Sequence, residues 1–262
     1  MGNPSGHNTE GSDLRKIQLR MLEMLEFVDH ICQKHNISYW LAAGTLLGAV
    51  RHGGFIPWDD DLDIEMLKDD YRSLLKVLQV EMSDKYVLQT HQTDRNYIFP
   101  IAKLRDKNSY ITESKNADKN YKYRGIFIDI FYLDSGNHFL GRVAVNFQKF
   151  AYALTLIRND KFGLLLFLKR VIFRVLNSLV FPSLRFLAYL FNIKTKILPL
   201  GTGFTKPIDL GNVFPLRKII FEGKYFNGPA NVDAYLKGMY GNYMKLPDLD
   251  NRQAHIVKCE IC

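Results

Sequence analysis

Four aspartates fall within five residues, Asp59, Asp60, Asp61 and Asp63, and the run Leu62 to Met66 that continues from them alternates carboxylates with apolar side chains. A period of two belongs to a strand with one polar face, so Asp61 and Asp63 project to the same side of an extended chain. Like charges brought this close are costly to bury unless a cation neutralises them, and paired carboxylates supply the oxygen ligands a hard divalent ion takes. The chain must therefore either leave these acids in water as a solvated turn or build the wall of a cation site around them. Pro57 and Trp58 before the acids and the apolar strand after them favour the wall.

Two further features complete a constellation. Gly44 and Thr45 end the short apolar run Ile37 to Ala43 and open a helical stretch, where backbone N–H groups and a hydroxyl can receive a phosphate. A small-residue turn followed by paired acids on the next strand is the nucleotidyltransferase pattern, which calls for a third carboxylate on a neighbouring strand. Asp129, embedded in Gly125-Ile-Phe-Ile-Asp-Ile-Phe, fits that place; the alternative is a core aspartate bonded to backbone or to an arginine. Asp134 is read as a supporting acid or a turn residue. Lys103 and Arg105 alternate on an expected strand and are candidates to face a diphosphate together, or to be solvated strand-end cations. Arg51 and His52, on the loop leading to the acids, shape either the donor pocket or a turn, and Asp59 is a further candidate ligand.

Periodicity gives an α+β chain. Leu14, Ile17, Met21, Leu25, Val28 and Cys32 predict an amphipathic helix over 13–35, capped by Ser12. Strands are expected at 37–43, 62–66, 86–90, 97–104, 109–112 and 125–131, and helices at 45–52 and 69–80. From Gly136 to Ile193 the pattern is helical, with a break or bend at Pro182. A hairpin over 213–226, a helix over 232–239 and a C-terminal tail follow. The expected organisation is a disordered 1–12, a catalytic mixed-sheet core with flanking helices over 13–135, a helical basic and apolar insertion over 136–198, and a C-terminal part over 199–262.

Charge decides between partners. The chain holds 35 Lys and Arg against 27 Asp and Glu, a net +8 that at first suggests nucleic acid. Residues 139–196, however, carry 10 of those cations and a single acid, Asp160, so the rest of the chain is −1. Bulky apolar residues interrupt the cations throughout, which suits an anionic membrane surface better than phosphate reading, although core packing with snorkelling cations is the other reading. The longest uncharged run there, Val175 to Leu184, is well short of the ~20 residues a spanning helix needs. Cys32, Cys259 and Cys262 are an odd number, consistent with a reducing compartment. His255 with Cys259 and Cys262 offers three zinc ligands and lacks a nearby fourth, so free thiols are the default.

The run GTLLGAVRHGGFIPWDDDLDI at Gly44 to Ile64, KLRDKNS at Lys103 to Ser109, GIFIDIFYLD at Gly125 to Asp134, VFPLRKIIFEG at Val213 to Gly223 and YGNYMKLP at Tyr240 to Pro247 together resemble the LicD family of phosphotransferases. The resemblance implies a nucleotidyltransferase-like fold and transfer of a substituted phosphate, phosphocholine first among the choices, from a CDP-linked donor such as CDP-choline to a hydroxyl of a cell-surface glycan or its lipid-linked precursor. It implies Mg²⁺ or Mn²⁺ held by Asp61, Asp63 and Asp129, with Gly44, Thr45, Arg51, His52, Lys103, Arg105 and His255 around the substrates. It also implies a bacterial, cytoplasmic enzyme at the inner face of the membrane. The 15 residues between Thr45 and Asp61 exceed the usual nucleotidyltransferase spacing, a longer loop that the resemblance itself carries. Two rival readings remain: a glycosyltransferase that uses Asp-x-Asp to hold a nucleotide sugar, and a membrane-surface binding protein with a relic site.

Overall fold

The structure is a computed structural model that describes residues 10–114, 118–153, 163–248 and 256–261. Helix α1 (Asp13–Lys34) buries Ile17, Met21, Leu25, Val28 and Cys32 along one stripe, and the Ser12 side chain accepts the Arg15 N–H at 3.2 Å to cap it. The chain then makes the two-residue strand β1 (Trp40–Leu41), α2 (Ala43–His52), β2 (Asp63–Leu67), α3 (Lys68–Val80), β3 (Tyr86–Gln89), β4 (Ala102–Asp106), β5 (Ser109–Glu113) and β6 (Phe127–Ser135). The main sheet runs β1-β2-β6-β4-β3, with β2 and β6 parallel and every other pair antiparallel. This is the mixed sheet with flanking helices expected of an α+β chain.

After β6 come α4 (His138–Ala153), α5 (Leu164–Val175), a π-helical stretch at Leu176–Val180, α6 (Phe181–Leu190) and the short strand β7 (Lys196–Ile197), which returns to pair with β6. These helices have a core of their own, built from Leu140, Ala144, Phe173, Leu176, Phe181 and Leu184. Asp134, 1% exposed on β6, clamps that layer to the sheet by accepting from Arg185 Nε of α6 at 2.9 Å and from Lys68 Nζ of α3 at 2.7 Å. It is thus neither a turn residue nor part of the acidic site.

The last part of the chain holds α7 (Leu210–Val213), the hairpin β8 (Arg217–Phe221) and β9 (Lys224–Gly228), α8 (Val232–Tyr240), and β10 (Ile256–Ile261) paired antiparallel with β5. The expected hairpin starts four residues later than its sequence reading. The expected C-terminal tail is in part a strand, held also by Asp60, whose Oδ2 accepts the Ile256 N–H at 2.6 Å. Strand β4 begins at Ala102 rather than Tyr97. Pro182 lies in the first turn of α6, directly after the π-helical stretch 176–180, so regular α-helical geometry is interrupted just before it, where the break or bend was expected. Among the described residues no helix is long and apolar enough to cross a membrane.

Candidate active site

Parallel pairing of β2 with β6 puts Asp63 directly opposite Asp129 and Glu65 opposite Phe131, while the antiparallel pairing of β4 with β6 sets Lys103 opposite Asp129. Residues two apart share a face. One side of three neighbouring strands therefore presents Asp63, Asp129 and Lys103 together, with Asp61 just before β2. They line a cavity of about 690 Å³ walled further by the 203–212 loop and α8. Six carboxylates, Asp61, Asp63, Glu65, Glu113, Asp129 and Asp209, line it against two lysines, Lys103 and Lys206.

The electrostatics follow from that imbalance. Burial pushes the Asp63 carboxyl well above the usual carboxylate range, and repulsion from Asp61, Asp129 and Asp59 adds to it. Asp59 is raised in the same way by burial and by Asp61, to which its side chain is hydrogen-bonded. Asp129 is raised by burial and drawn back by Lys103, whose Nζ lies 2.8 Å from Oδ1 and 3.0 Å from Oδ2 and also sits 3.3 Å from the centre of the Phe127 ring. At the other end, Glu65 is pushed up to about 7 by burial, opposed by donors from Tyr235 and Trp40.

The donor chemistry is that of a hard divalent cation: carboxylate oxygens that raise one another's proton affinity and have one lysine among them. The buried Asp129 Oδ1 has no well-directed hydrogen-bond donor in spite of the nearby ammonium. Among the described residues, however, no three His, Cys, Asp or Glu side chains converge as ready ligands. Lys103 stands against Asp129 in that place, so ligation by the trio requires a rotamer change.

Helix α2 enters the site with its N-terminus. Its N-cap, Ala42, has no capping side chain, and Ala43, which lines the cavity, takes the left-handed φ of 42°. First-turn N–H groups left in this way favour an anion. Gly44 faces the acids so closely that a Cβ there would stand 2.9 Å from Asp59 Oδ2 and 4.0 Å from Asp61 Oδ1. The Thr45 hydroxyl is already committed to the fold, since it accepts the Asp63 N–H at 2.8 Å and thereby ties α2 to β2.

Other sequence candidates go elsewhere. Arg105 is fully buried and spends Nε on Gln89 Oε1 at 2.6 Å, Nη1 on the Gly125 carbonyl at 2.9 Å and Nη2 on Glu113 Oε1 at 2.9 Å; it does not line the cavity beside Lys103. Arg51 donates to the Tyr243 carbonyl at 3.1 Å, and His52 packs edge-on against Trp58, its proton affinity lowered by burial and by Arg51. Neither reaches the cavity wall. His255 and Cys262 lie outside the described residues, and Cys32 and Cys259 are free thiols. Sequence reasoning missed Glu65 and Tyr235. The first had a signal, because Asp61, Asp63 and Glu65 continue one period-two row; the second, supplied by α8 from 170 residues away, had none.

Residues 36–157 match the family model described as LicD/FKTN/FKRP, nucleotidyltransferase domain. The chain is 29% identical over 266 aligned residues, 94% of its length and 96% of the relative's, to the lipopolysaccharide cholinephosphotransferase LicD of Haemophilus influenzae. A 48-residue stretch, 18% of this chain and 10% of the relative, is 42% identical to the human ribitol 5-phosphate transferase FKRP.

Proposed function

Because this chain is a phosphotransferase of the LicD family, we propose that it moves a substituted phosphate, phosphocholine first among the choices, from a CDP-linked donor to a hydroxyl of a cell-surface glycan or its lipid-linked precursor. The observation that carries this reading is the acidic cavity, six carboxylates against two lysines, set beside the N-terminus of α2. A diphosphate cannot enter such a field unaided. Asp61, Asp63 and Asp129, with Asp59 in reserve, would hold Mg²⁺ or Mn²⁺, which supplies Lewis-acid stabilisation of charge on the diphosphate.

The protein's own groups do the rest. The first turn of α2 offers N–H donors to a phosphate oxygen, and the Thr45 hydroxyl fixes that turn against β2. Lys103, paired with Asp129 in the cavity wall, would offer the donor a point charge. The acceptor oxygen attacks phosphorus, the bond from phosphorus to the CMP oxygen breaks, and the proton of the acceptor passes to a carboxylate, Asp129 by preference, before it reaches solvent. Little covalent work falls to the protein, so placement and field dominate. The test is release of CMP from CDP-choline, CDP-ethanolamine, CDP-glycerol and CDP-ribitol, with and without glycan acceptors and with and without Mg²⁺. Asp63→Asn and Asp129→Asn are expected to lower turnover by a hundredfold or more while each purified variant still unfolds cooperatively. Near wild-type turnover in either purified variant would sink the reading.

The helical layer supports a peripheral membrane location. Phe139, Phe150, Leu164, Phe167, Phe186 and Phe191 are each more than half exposed, among the cations of the +9 stretch. A surface of this texture fits an anionic bilayer, each cation near it contributing about 1 kcal/mol. Pelleting with anionic vesicles should exceed pelleting with neutral ones at low salt, and equal pelleting would remove the location.

A further inference from the structure

One charged group in the cavity has no task in the transfer step. Glu65 is 1% exposed and lies two residues beyond Asp63 on β2, on the same face and roughly 7 Å further along the strand. Both of its hydrogen bonds, from Trp40 Nε1 at 3.0 Å and Tyr235 Oη at 2.8 Å, go to Oε2. Among the described residues no donor reaches Oε1, and no lysine or arginine pairs with the carboxyl. The same cavity is lined by Phe131, which stands opposite Glu65 in the strand register, by Phe204, edge-on to Phe131 at 6.4 Å, by Tyr235, which donates to Glu65, and by Met239 and Tyr240 of α8.

A buried carboxylate whose partners are all neutral is expensive unless a counter-charge arrives. A proton is one way to neutralise it, in keeping with its raised proton affinity; a cationic ligand is the other, and the surroundings say what kind. A primary ammonium brings three N–H donors that need acceptors, and one free oxygen beside aromatic rings satisfies few of them. A quaternary ammonium brings no donors, is weakly hydrated, and is attracted to the ring faces as well as to the carboxylate. We propose that Glu65 with Phe131, Phe204, Tyr235 and Tyr240 forms a recess for a quaternary ammonium group, set one two-residue strand step from Asp63 and Asp129 so that the cation and the phosphate of one small transferred group occupy the two places together. The recess rests on the reading of the cavity as a phosphotransfer site, and it selects the transferred group within that reading.

The experiment separates the two. Wild-type protein and the variants Glu65→Gln and Phe204→Leu are titrated with choline, with ethanolamine and with 3,3-dimethylbutan-1-ol, the uncharged carbon isostere of choline, by ligand-observed NMR, with no nucleotide or divalent ion present. Gln at 65 keeps an acceptor for Trp40 and Tyr235 and removes only the charge; Phe204 is 58% exposed, so its exchange for Leu leaves the fold intact. The wild type should bind choline at least tenfold more tightly than either comparison compound. Glu65→Gln should lose that preference and Phe204→Leu should reduce it several-fold, with the isostere unaffected in both. Choline binding that is absent from the wild type, or indifferent to both substitutions, overturns the recess even if CMP release from some CDP donor proceeds. Glu65-dependent choline binding in a protein that turns over no CDP donor upholds the recess and counts against the transfer reaction.

Discussion

The replacement of Gly44 by alanine separates the needs of the fold from the needs of the site. Gly44 lies in the first turn of α2 and does not take a left-handed φ, so the helix itself would gain from alanine, by up to about 1 kcal/mol. The new Cβ, however, lands 2.9 Å from Asp59 Oδ2, where ordinary contact begins at 3.4 Å. The Asp59 carboxyl must retreat by roughly 0.5 Å, since a helix first turn gives way less readily than a side-chain rotamer. Its hydrogen bond to Asp61 passes the shift on to the acids that face the cavity. A misplacement of 1 Å near a reacting centre costs about a hundredfold, so half that distance is worth about tenfold in kcat/KM. The helix gain and the local crowding offset each other in stability. The expected result for G44A is a melting temperature within a few degrees of wild type and CMP release slowed about tenfold. Unchanged turnover would show that the spacing of α2 from the acids does not matter to the reaction. A protein that loses its fold would refute the reasoning equally, because it would make Gly44 a core residue first.

Two perturbations probe the helical layer. Lys169 is 3% exposed, and burial together with repulsion from Arg170 lowers its pKa from 10.5 to about 8. The ammonium therefore costs stability at every pH below about 8, and the cost fades as pH rises from 8 towards 10.5; Lys169→Met should stabilise by on the order of 2 to 3 kcal/mol at pH 7 and by almost nothing at pH 10.5, as read by urea unfolding across that range. Asp134→Asn leaves Lys68 and Arg185 without their acid; because these are partly exposed and can rehydrate, the loss should be roughly 2 to 3 kcal/mol rather than the 3 to 5 of a fully buried pair, with faster hydrogen exchange in 181–190 as its local mark.

Residues that carry a period or a costly charge were legible in the sequence. The α1 stripe is set by one helical repeat, and the row from Asp61 to Asp63 by one strand repeat. The isolation of Asp129 in an apolar run likewise marked it as the candidate third acid on a neighbouring strand, with a core aspartate as the alternative; its place opposite Asp63 comes from the strand register. Arg105 shows where that logic stops: alternation puts Lys103 and Arg105 on one face, but which of them reaches the cavity depends on Gln89, Gly125 and Glu113, three partners with no local signature. The same holds for Asp60, whose side chain turns away from its neighbours to hold the Ile256 N–H, and for the strand that this bond anchors. Contacts across 170 or 196 residues leave no period to read. Pro182, by contrast, acts locally, and the change of helix type at 176–180 falls next to it.

The parallel pairing of β2 with β6 has a consequence for how the molecule comes into being. Antiparallel neighbours such as β3 and β4 or β8 and β9 can close early, whereas Asp63 and Asp129 meet only when a long crossover has been completed. Mutual repulsion among the carboxylates opposes that closing step, and anything that screens them, whether protons or a divalent ion, favours it. Recovery of the assembled acidic face should therefore lag behind recovery of secondary structure during refolding, and a divalent ion added to the refolding buffer should shorten that lag.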